Sequence, residues 1–336
     1  MHRGGGPLAA TLTDVARQAG VALSTASRAY SDPARLGPGT LRKVLTAAQE
    51  LGYNPVAARP TAASPQGATV AVVVPDIAHP LFGVFVKAAQ AAGRHRHTTV
   101  VLADTDFRPE REREVITQLR DRADGLLLCT PWLETDELLE LCGSTPVVLV
   151  NREAPGADCV LTDTADGVRQ ACEHLAALGH RRLAYVQGER RSRLNRERVE
   201  LARTAAKEAG LDLVPLGWQA QTYEGGKAAA ASVLATGATA VLTHNDPMAL
   251  GVVAGARALG ARVPEDLSVV GVDGIPFAEI AQPALTTVAV PMERAGGEAI
   301  DLLELSLGGA RATPRTVTLP TQLVVRDTTG PAPHAS

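Results

Sequence analysis

No stretch of this 336-residue chain approaches 18 consecutive apolar residues, and the opening Met1 to Ala10, with three glycines and no hydrophobic region, lacks the pattern of a secretory signal. The expectation is a cytoplasmic protein without a membrane span. Cysteine is scarce. Cys129, Cys142, Cys159 and Cys172 stand 13, 17 and 13 residues apart with no C-x-x-C pair, which reads as isolated buried thiols. His95 and His97 lie in a basic Gly-Arg-His-Arg-His run with no further ligands nearby, so neither a metal nor a cofactor is expected. Also missing are a G-x-G-x-x-G after the first apolar run, a P-loop, and any recognisable Ser/His/Asp or Cys/His order, which argues against an enzyme.

What is present is a globular composition, 45% apolar and 21% charged, long enough for two compact domains and a small appendage. The net charge of −3 hides an asymmetry. Residues 1–60 carry seven Lys/Arg against three acids, a net +4, and leave −7 on the remainder. A basic head on an acidic body suits nucleic-acid binding through the head, because phosphates dominate that affinity.

Thr11-Leu-Thr-Asp14 reads as a capping box opening a helix that Gly20 stops. A second helical segment spans about Leu23 to Tyr30. A third opens at Gly37-Pro38, with Leu41, Val44, Leu45, Ala48 and Leu51 at helical spacing and Gly52 at its end. Residues Asn54 to Gly67, rich in Ala, Pro, Thr and Ser, read as a linker. From Ala68 to about Val325, apolar runs alternate with amphipathic helical stretches. The strands drawn are Ala68–Val74, Thr99–Ala103, Gly125–Cys129, Val147–Val150, Arg182–Gln187, Thr239–Thr243 and Leu267–Val272. Strands of this kind imply parallel sheets covered on both faces, in two units.

In open α/β sheets ligands sit beyond the carboxyl ends of the strands. The residues there are Asp76, Asp104, Thr130, Asn151-Arg152, Gly188, Asn245-Asp246 and Asp273. Such polar groups bind ligands or cap the next helix, and position alone does not separate the two roles.

The string Thr11-Leu-Thr-Asp-Val-Ala-Arg-Gln-Ala-Gly-Val-Ala-Leu-Ser-Thr-Ala-Ser-Arg28 resembles the helix-turn-helix of the lactose-repressor (LacI/GalR) family of transcription regulators. The likeness continues through Thr40-Leu-Arg-Lys-Val44 and Leu51-Gly-Tyr-Asn-Pro55. It returns at Leu178-Gly-His-Arg181, His244-Asn-Asp-Pro-Met-Ala-Leu-Gly251, Asp266-Leu-Ser-Val-Val-Gly-Val-Asp273 and Pro283-Ala-Leu-Thr-Thr287. The resemblance implies an N-terminal all-α helix-turn-helix head, an α/β two-lobed periplasmic-binding-protein-like sensor domain of two doubly wound parallel sheets, a homodimer, and a palindromic operator. It also implies these bounds: a disordered start at 1–10, the head at 11–56, a hinge at 57–67, the sensor at 68–327 and a tail at 328–336. Within the sensor, the N-lobe takes about 68–164 and 291–318, and the C-lobe about 165–289 and 319–327.

By position, the resemblance points to Leu23, Ser24 and Arg28 as base readers and to Thr25 and Ser27 as phosphate contacts, joined by Tyr53, Asn54 and Arg59. Arg can hold guanine bidentately, and Leu can pack on a thymine methyl or simply fill the head's core. For an effector it points to Asp76, Phe82, Thr130, Asn151, Arg152, Arg198, Gln221, Asn245, Asp246 and Asp273. Carboxylates, amides and a guanidinium suit the paired hydroxyls of a sugar, or the edge of a purine or nucleoside. Phe82 could stack on a sugar or fill core, and Arg198 could belong to a solvated ion-pair helix. Leu216, Trp218 and Gln221 read as an irregular loop bordering the cleft.

Two departures from the family pattern concern DNA. Ala22 replaces the usual serine cap before the second helix, at a cost of about 1 kcal/mol. Ala62, two residues past Pro60, replaces a leucine wedge and implies a weaker operator kink. No leucine heptad follows Asp327, so a dimer is expected rather than a tail-linked tetramer.

Overall fold

The structure is a computed structural model that describes residues 12–31, 35–51, 67–309 and 313–333. Thr11, Gly52, Tyr53, Asn54, Arg59, Pro60, Ala62 and the expected hinge lie outside the described residues, as does the N-terminal decapeptide. The chain divides into two units after Gln66.

The first unit holds α1 (Leu12–Ala19), α2 (Leu23–Ser31) and α3 (Pro38–Glu50). Gly20, at φ 66°, ends α1 by returning its N–H to Arg17 while Val21 N–H returns to Ala16. Val15, Ala16, Ala26, Ala29, Val44, Ala47 and Ala48 form a small core of their own. Leu45 departs from the expected apolar stripe and is 45% exposed. The stripe that turns inward on α3 runs through Val44, Ala47 and Ala48, and the residue after Val44 is rotated about 100° off it.

The second unit begins with β1 (Thr69–Val74), α4 (Pro80–Arg94), β2 (Thr99–Asp104), α5 (Pro109–Leu119), β3 (Gly125–Cys129), α6 (Thr135–Cys142), β4 (Val147–Val150) and β5 (Asp158–Asp163). It continues through α7 (Ala165–Ala177), β6 (Arg182–Gln187), α8 (Arg193–Glu208), β7 (Asp212–Trp218), α9 (Tyr223–Ala235), β8 (Ala240–Thr243), α10 (Asp246–Ala258) and β9 (Ser268–Asp273). It closes with α11 (Pro276–Ile280), β10 (Thr286–Ala289), α12 (Met292–Leu307), β11 (Thr316–Pro320) and β12 (Gln322–Val324). Two six-stranded sheets result, ordered β11-β5-β4-β3-β1-β2 and β12-β10-β9-β8-β6-β7. Every pairing is parallel except β10 with β12. The chain crosses between the sheets three times, after β5, after β10 and at Thr321. The last crossing falls beyond residue 318, because β11 runs to Pro320 beside β5.

Central strands such as β3 and β9, buried at every position, are the apolar runs visible in the sequence. β5, β7, β10, β11 and β12 were not among the expected strands. β7 is an edge strand interrupted by Pro215, half open to solvent, so it shows no continuous run. Leu216 and Trp218 therefore lie on a strand and not in an irregular loop. Helices α9 and α10 meet backbone to backbone: a Cβ on Gly251 would stand 2.0 Å from the Tyr223 carbonyl oxygen, so glycine is required there.

Residues 328–333 are no loose tail. Thr328 is fully buried, its carbonyl accepting from Val269 N–H and its hydroxyl donating to the Val269 carbonyl, and Ala332 N–H reaches the Leu178 carbonyl. His180 of the Leu-Gly-His-Arg string, 1% exposed, ties this segment down through Thr239, Ser268 and the Gly330 carbonyl. Among the described residues no helix is long and apolar enough to cross a membrane.

Candidate functional site

A cleft between the two sheets is lined by residues from both lobes, among them Phe82, Thr130, Asn151, Arg198, Gln221, Asn245 and Asp273. Its floor belongs to the second lobe. Arg198, buried on α8, donates from Nη1 to the His244 carbonyl at 2.6 Å and from Nη2 to Asp273 Oδ1 at 3.1 Å. It is a cleft residue and not part of a solvated ion-pair face. Burial pushes the Asp273 carboxyl up to about 6, against the pull of Arg198. Asn245 caps α10, its Oδ1 accepting from Met248 N–H while Nδ2 donates to the Gln221 carbonyl.

His79, from the first lobe, reaches across to this floor. Its Nδ1 accepts from Leu81 N–H, which leaves the ring proton on Nε2, 3.6 Å from Asp273 Oδ2 and 3.3 Å from Asn245 Nδ2. Burial pulls its pKa down to about 4, more than Asp76 raises it, so near neutrality the contact with Asp273 is a polar one and not an ion pair. A second bridge joins Arg193 to the Asn151 carbonyl. The space left in the cleft is about 40 Å³, room for a few waters at roughly 10–15 Å³ each.

Three sequence candidates turn away from the cleft. Arg152, 5% exposed, donates to the carbonyls of Pro131 and Leu133 and to Thr135, bracing the loop behind the first-lobe wall. Asp246, with no exposed surface, accepts from the Thr287 hydroxyl and from Ile275 N–H and so fixes the turn after β9. Burial, then repulsion by Asp273, raises it to about 7. Asp76 accepts from Ala78 N–H in its own turn, as Asp104 does from Ile77 N–H. Each helps to shape the rim without lining it.

Sequence reasoning missed His79, Phe107, Trp132, Ser192 and His244, which also line the cleft. His79-Pro80 carried the signal of a helix start, and tryptophan occurs only twice in the chain. Phe82 is buried and tilted onto His79, with ring centroids 5.5 Å apart. Among the described residues six non-glycine positions have positive φ, and four of them line the cleft: Phe107, Thr130, Asn151 and Asp273. Backbone strain of this kind concentrates where side chains must be aimed.

In the head, Ala26 and Ala29 turn α2 inward, which leaves Leu23, Ser24, Ser27 and Arg28 on its open face with Thr25 half-buried beside them. Leu23 is 50% exposed and does not fill the core. Arg17, Arg35, Arg42 and Lys43 are exposed on the same unit, giving it a basic surface.

A three-helix head followed by a two-lobed α/β domain with a polar interlobe cleft is the build of a DNA-binding regulator that senses a small molecule. The sequence matches the model of bacterial regulatory proteins of the lacI family over residues 11–56, and that of the periplasmic binding protein-like domain over 172–329. It is 31% identical over 331 residues to the HTH-type transcriptional regulator DegA of Bacillus subtilis strain 168, covering 96% of this chain and 98% of that protein. Among solved structures it is similar to the transcriptional regulator CelR–cellobiose complex, at 31% identity and TM-score 0.69 with 95% and 99% of the chains covered. It is also similar to the lac repressor dimer bound to operator and the anti-inducer ONPF, at 26% identity and TM-score 0.72 with 96% and 99% covered. The chain belongs to the lacI family of bacterial regulatory proteins. It is a DNA-binding transcriptional regulator and not an enzyme.

Proposed function

We propose that this chain is a cytoplasmic, homodimeric repressor whose two heads read a palindromic operator and whose interlobe cleft takes a sugar as effector. The observation that carries the effector reading is the buried floor of Arg198, Asp273 and Asn245, a guanidinium, a carboxylate and an amide turned toward one small space. Paired hydroxyls satisfy such a set, each donating to a carboxylate and accepting from an N–H. Phe82, Thr130, Asn151 and Gln221 complete the contact surface, while Asp76, Arg152 and Asp246 support it from behind. On α2, Leu23, Ser24 and Arg28 meet base edges, and Thr25 and Ser27 meet phosphates. Tyr53, Asn54 and Arg59 add contacts from the segment toward the hinge.

The coupling is mechanical. A cleft that now encloses about 40 Å³ admits a sugar only when the lobes part or His79 swings aside, so binding selects a different lobe closure. A coupling of about 1–3 kcal/mol between effector and operator is typical of such linkage.

The test is selection of DNA from a genomic pool with the full-length protein. The expected result is an enriched palindrome, and Arg28→Ala then loses about tenfold of its preference for that palindrome over scrambled DNA. Retention of DNA with no enriched sequence would contradict the reading.

A further inference from the structure

The loop that follows β3 is held from two sides by buried charge. From α5, Glu112, 3% exposed, accepts on Oε2 from the N–H groups of Trp132 at 3.0 Å and Leu133 at 2.8 Å. From the end of β4, Arg152 donates through Nη2 to the carbonyls of Pro131 at 3.0 Å and Leu133 at 2.8 Å. Burial raises the Glu112 carboxyl above the usual carboxylate range although both N–H groups pull it down, so the fold tolerates a costly group at this position. What the clamp fixes is the placement of Trp132 on the cleft wall. The indole meets Phe107 nearly edge-on, with centroids 5.8 Å apart and planes inclined by 70°. Phe107 itself sits at φ 55° beside Asp106 at φ 51°, anchored by its N–H to the Pro75 carbonyl. Clamp and strained turn converge on one half-buried aromatic corner, opposite the polar floor.

We infer that Trp132, positioned by Glu112 and Arg152, is a specificity-determining residue of the cleft and selects an uncharged pyranoside, whose C–H face lies on the indole while its hydroxyls meet Arg198, Asp273 and Asn245. The inference rests on the sugar reading above and narrows it. The Phe107–Trp132 pair is inclined at 70°, so the indole offers the cleft a single face backed by a ring edge, a surface on which the C–H face of a puckered ring can lie. A phosphorylated sugar would need a cation to spare. Arg198 is neutralised by Asp273, and Arg193 is paired with Glu197.

The experiment uses the chain's two tryptophans. Trp218 stands on edge strand β7, outside the cleft lining, with Arg190 over its ring, so Trp218→Phe leaves Trp132 as the sole indole reporter. Methyl β-D-glucopyranoside, methyl β-D-galactopyranoside and cellobiose are titrated by calorimetry into the full-length wild-type protein, beside ribose, adenosine and glucose 6-phosphate. The expected result is that one of the three pyranosides binds and changes the emission of Trp218→Phe saturably. Trp132→Ala then weakens that sugar about tenfold, and Trp132→Phe recovers part of the loss. Glu112→Ala matches Trp132→Ala in sugar affinity, and the double variant loses no more than Trp132→Ala alone, as a positioning residue requires. Thermal melts identify any variant that fails to fold, in which case Trp132→Phe and Glu112→Gln carry the comparison. If a pyranoside binds by calorimetry while the Trp132 emission is unmoved and Trp132→Ala binds as the wild type does, the inference is overturned and the sugar reading stands. If ribose or glucose 6-phosphate binds and no pyranoside does, the inference is overturned and the sugar reading stands; if no sugar binds at millimolar concentration, both fail.

Discussion

Two strand ends look alike in the sequence: Asn151-Arg152 after β4 in the first lobe and Asn245-Asp246 after β8 in the second. In each pair the amide faces the cleft and the charged neighbour does not. Arg152 points back to hold the 131–133 loop, and Asp246 points down to hold the turn after β9. Each lobe thus turns an amide just past its strand, Asn151 one residue after β4 and Asn245 two residues after β8, to the cleft surface and uses the residue that follows to fix a neighbouring loop. The difference lies in what the amide has left to offer. Asn151 is engaged within its first-lobe wall, Oδ1 with Thr162 and Nδ2 with Thr130, whereas Asn245 caps α10 through Oδ1, donates from Nδ2 to the Gln221 carbonyl and lies beside the His79 ring of the other lobe without bonding it. The second lobe supplies the polar floor, and the first lobe supplies wall and shape.

That division can be broken by substitution. The largest effect falls on the floor: Arg198→Ala leaves the buried Asp273 without its cation and should cost about 3–5 kcal/mol of stability in urea unfolding. Next come the two supports, because Asp246→Ala and Arg152→Ala orphan buried N–H or carbonyl partners and should each cost about 1–3 kcal/mol. Loss of sugar affinity at unchanged stability in either variant would place that residue in the ligand surface and end the comparison.

Smaller effects separate the lobes by pH. Asp246 is raised in the fold from 3.8 to about 7, so the native state keeps a proton that the unfolded chain releases, and its contribution is lost as pH rises from about 4 to 7. His79 is lowered from 6.5 to about 4, so its contribution is lost as pH falls through that window. Melting temperatures across pH 4 to 7 should show Asp246→Asn gaining on the wild type as pH rises and His79→Gln gaining as it falls. The smallest expected change is in the head. The Ala22 carbonyl accepts from Thr25 and Ala26 N–H at the start of α2 with no side-chain cap to help, so Ala22→Ser should stabilise the head by about 1 kcal/mol in thermal unfolding.

Central strands were legible because burial on both faces writes itself as an apolar run, and β3 shows this at every position. Edge strand β7, with Pro215 and an exposed Trp218, carries no such run. The site was half legible for a related reason. A polar residue at or within two positions of a strand end can be found by counting, which located Thr130, Asn151, Asn245 and Asp273. Counting does not show the left-handed backbone at Asn151, φ 57°, at the point where the chain turns Arg152 inward. Nor does it reach Trp132 and His79, which enter the cleft from loops two or more residues farther on and depend on the clamp and cap that hold them.

In the function proposed for this chain, the Arg198–Asp273 floor couples a sugar in the cleft to the operator. That coupling is tested by measuring operator affinity with and without the bound sugar for the wild type and for the Arg198→Gln, Asp273→Asn double variant, which removes both buried charges together. Both proteins are expected to bind the operator equally when free of sugar, and only the wild type to change its affinity when the sugar is added. An unchanged response in the double variant would contradict that role for the floor.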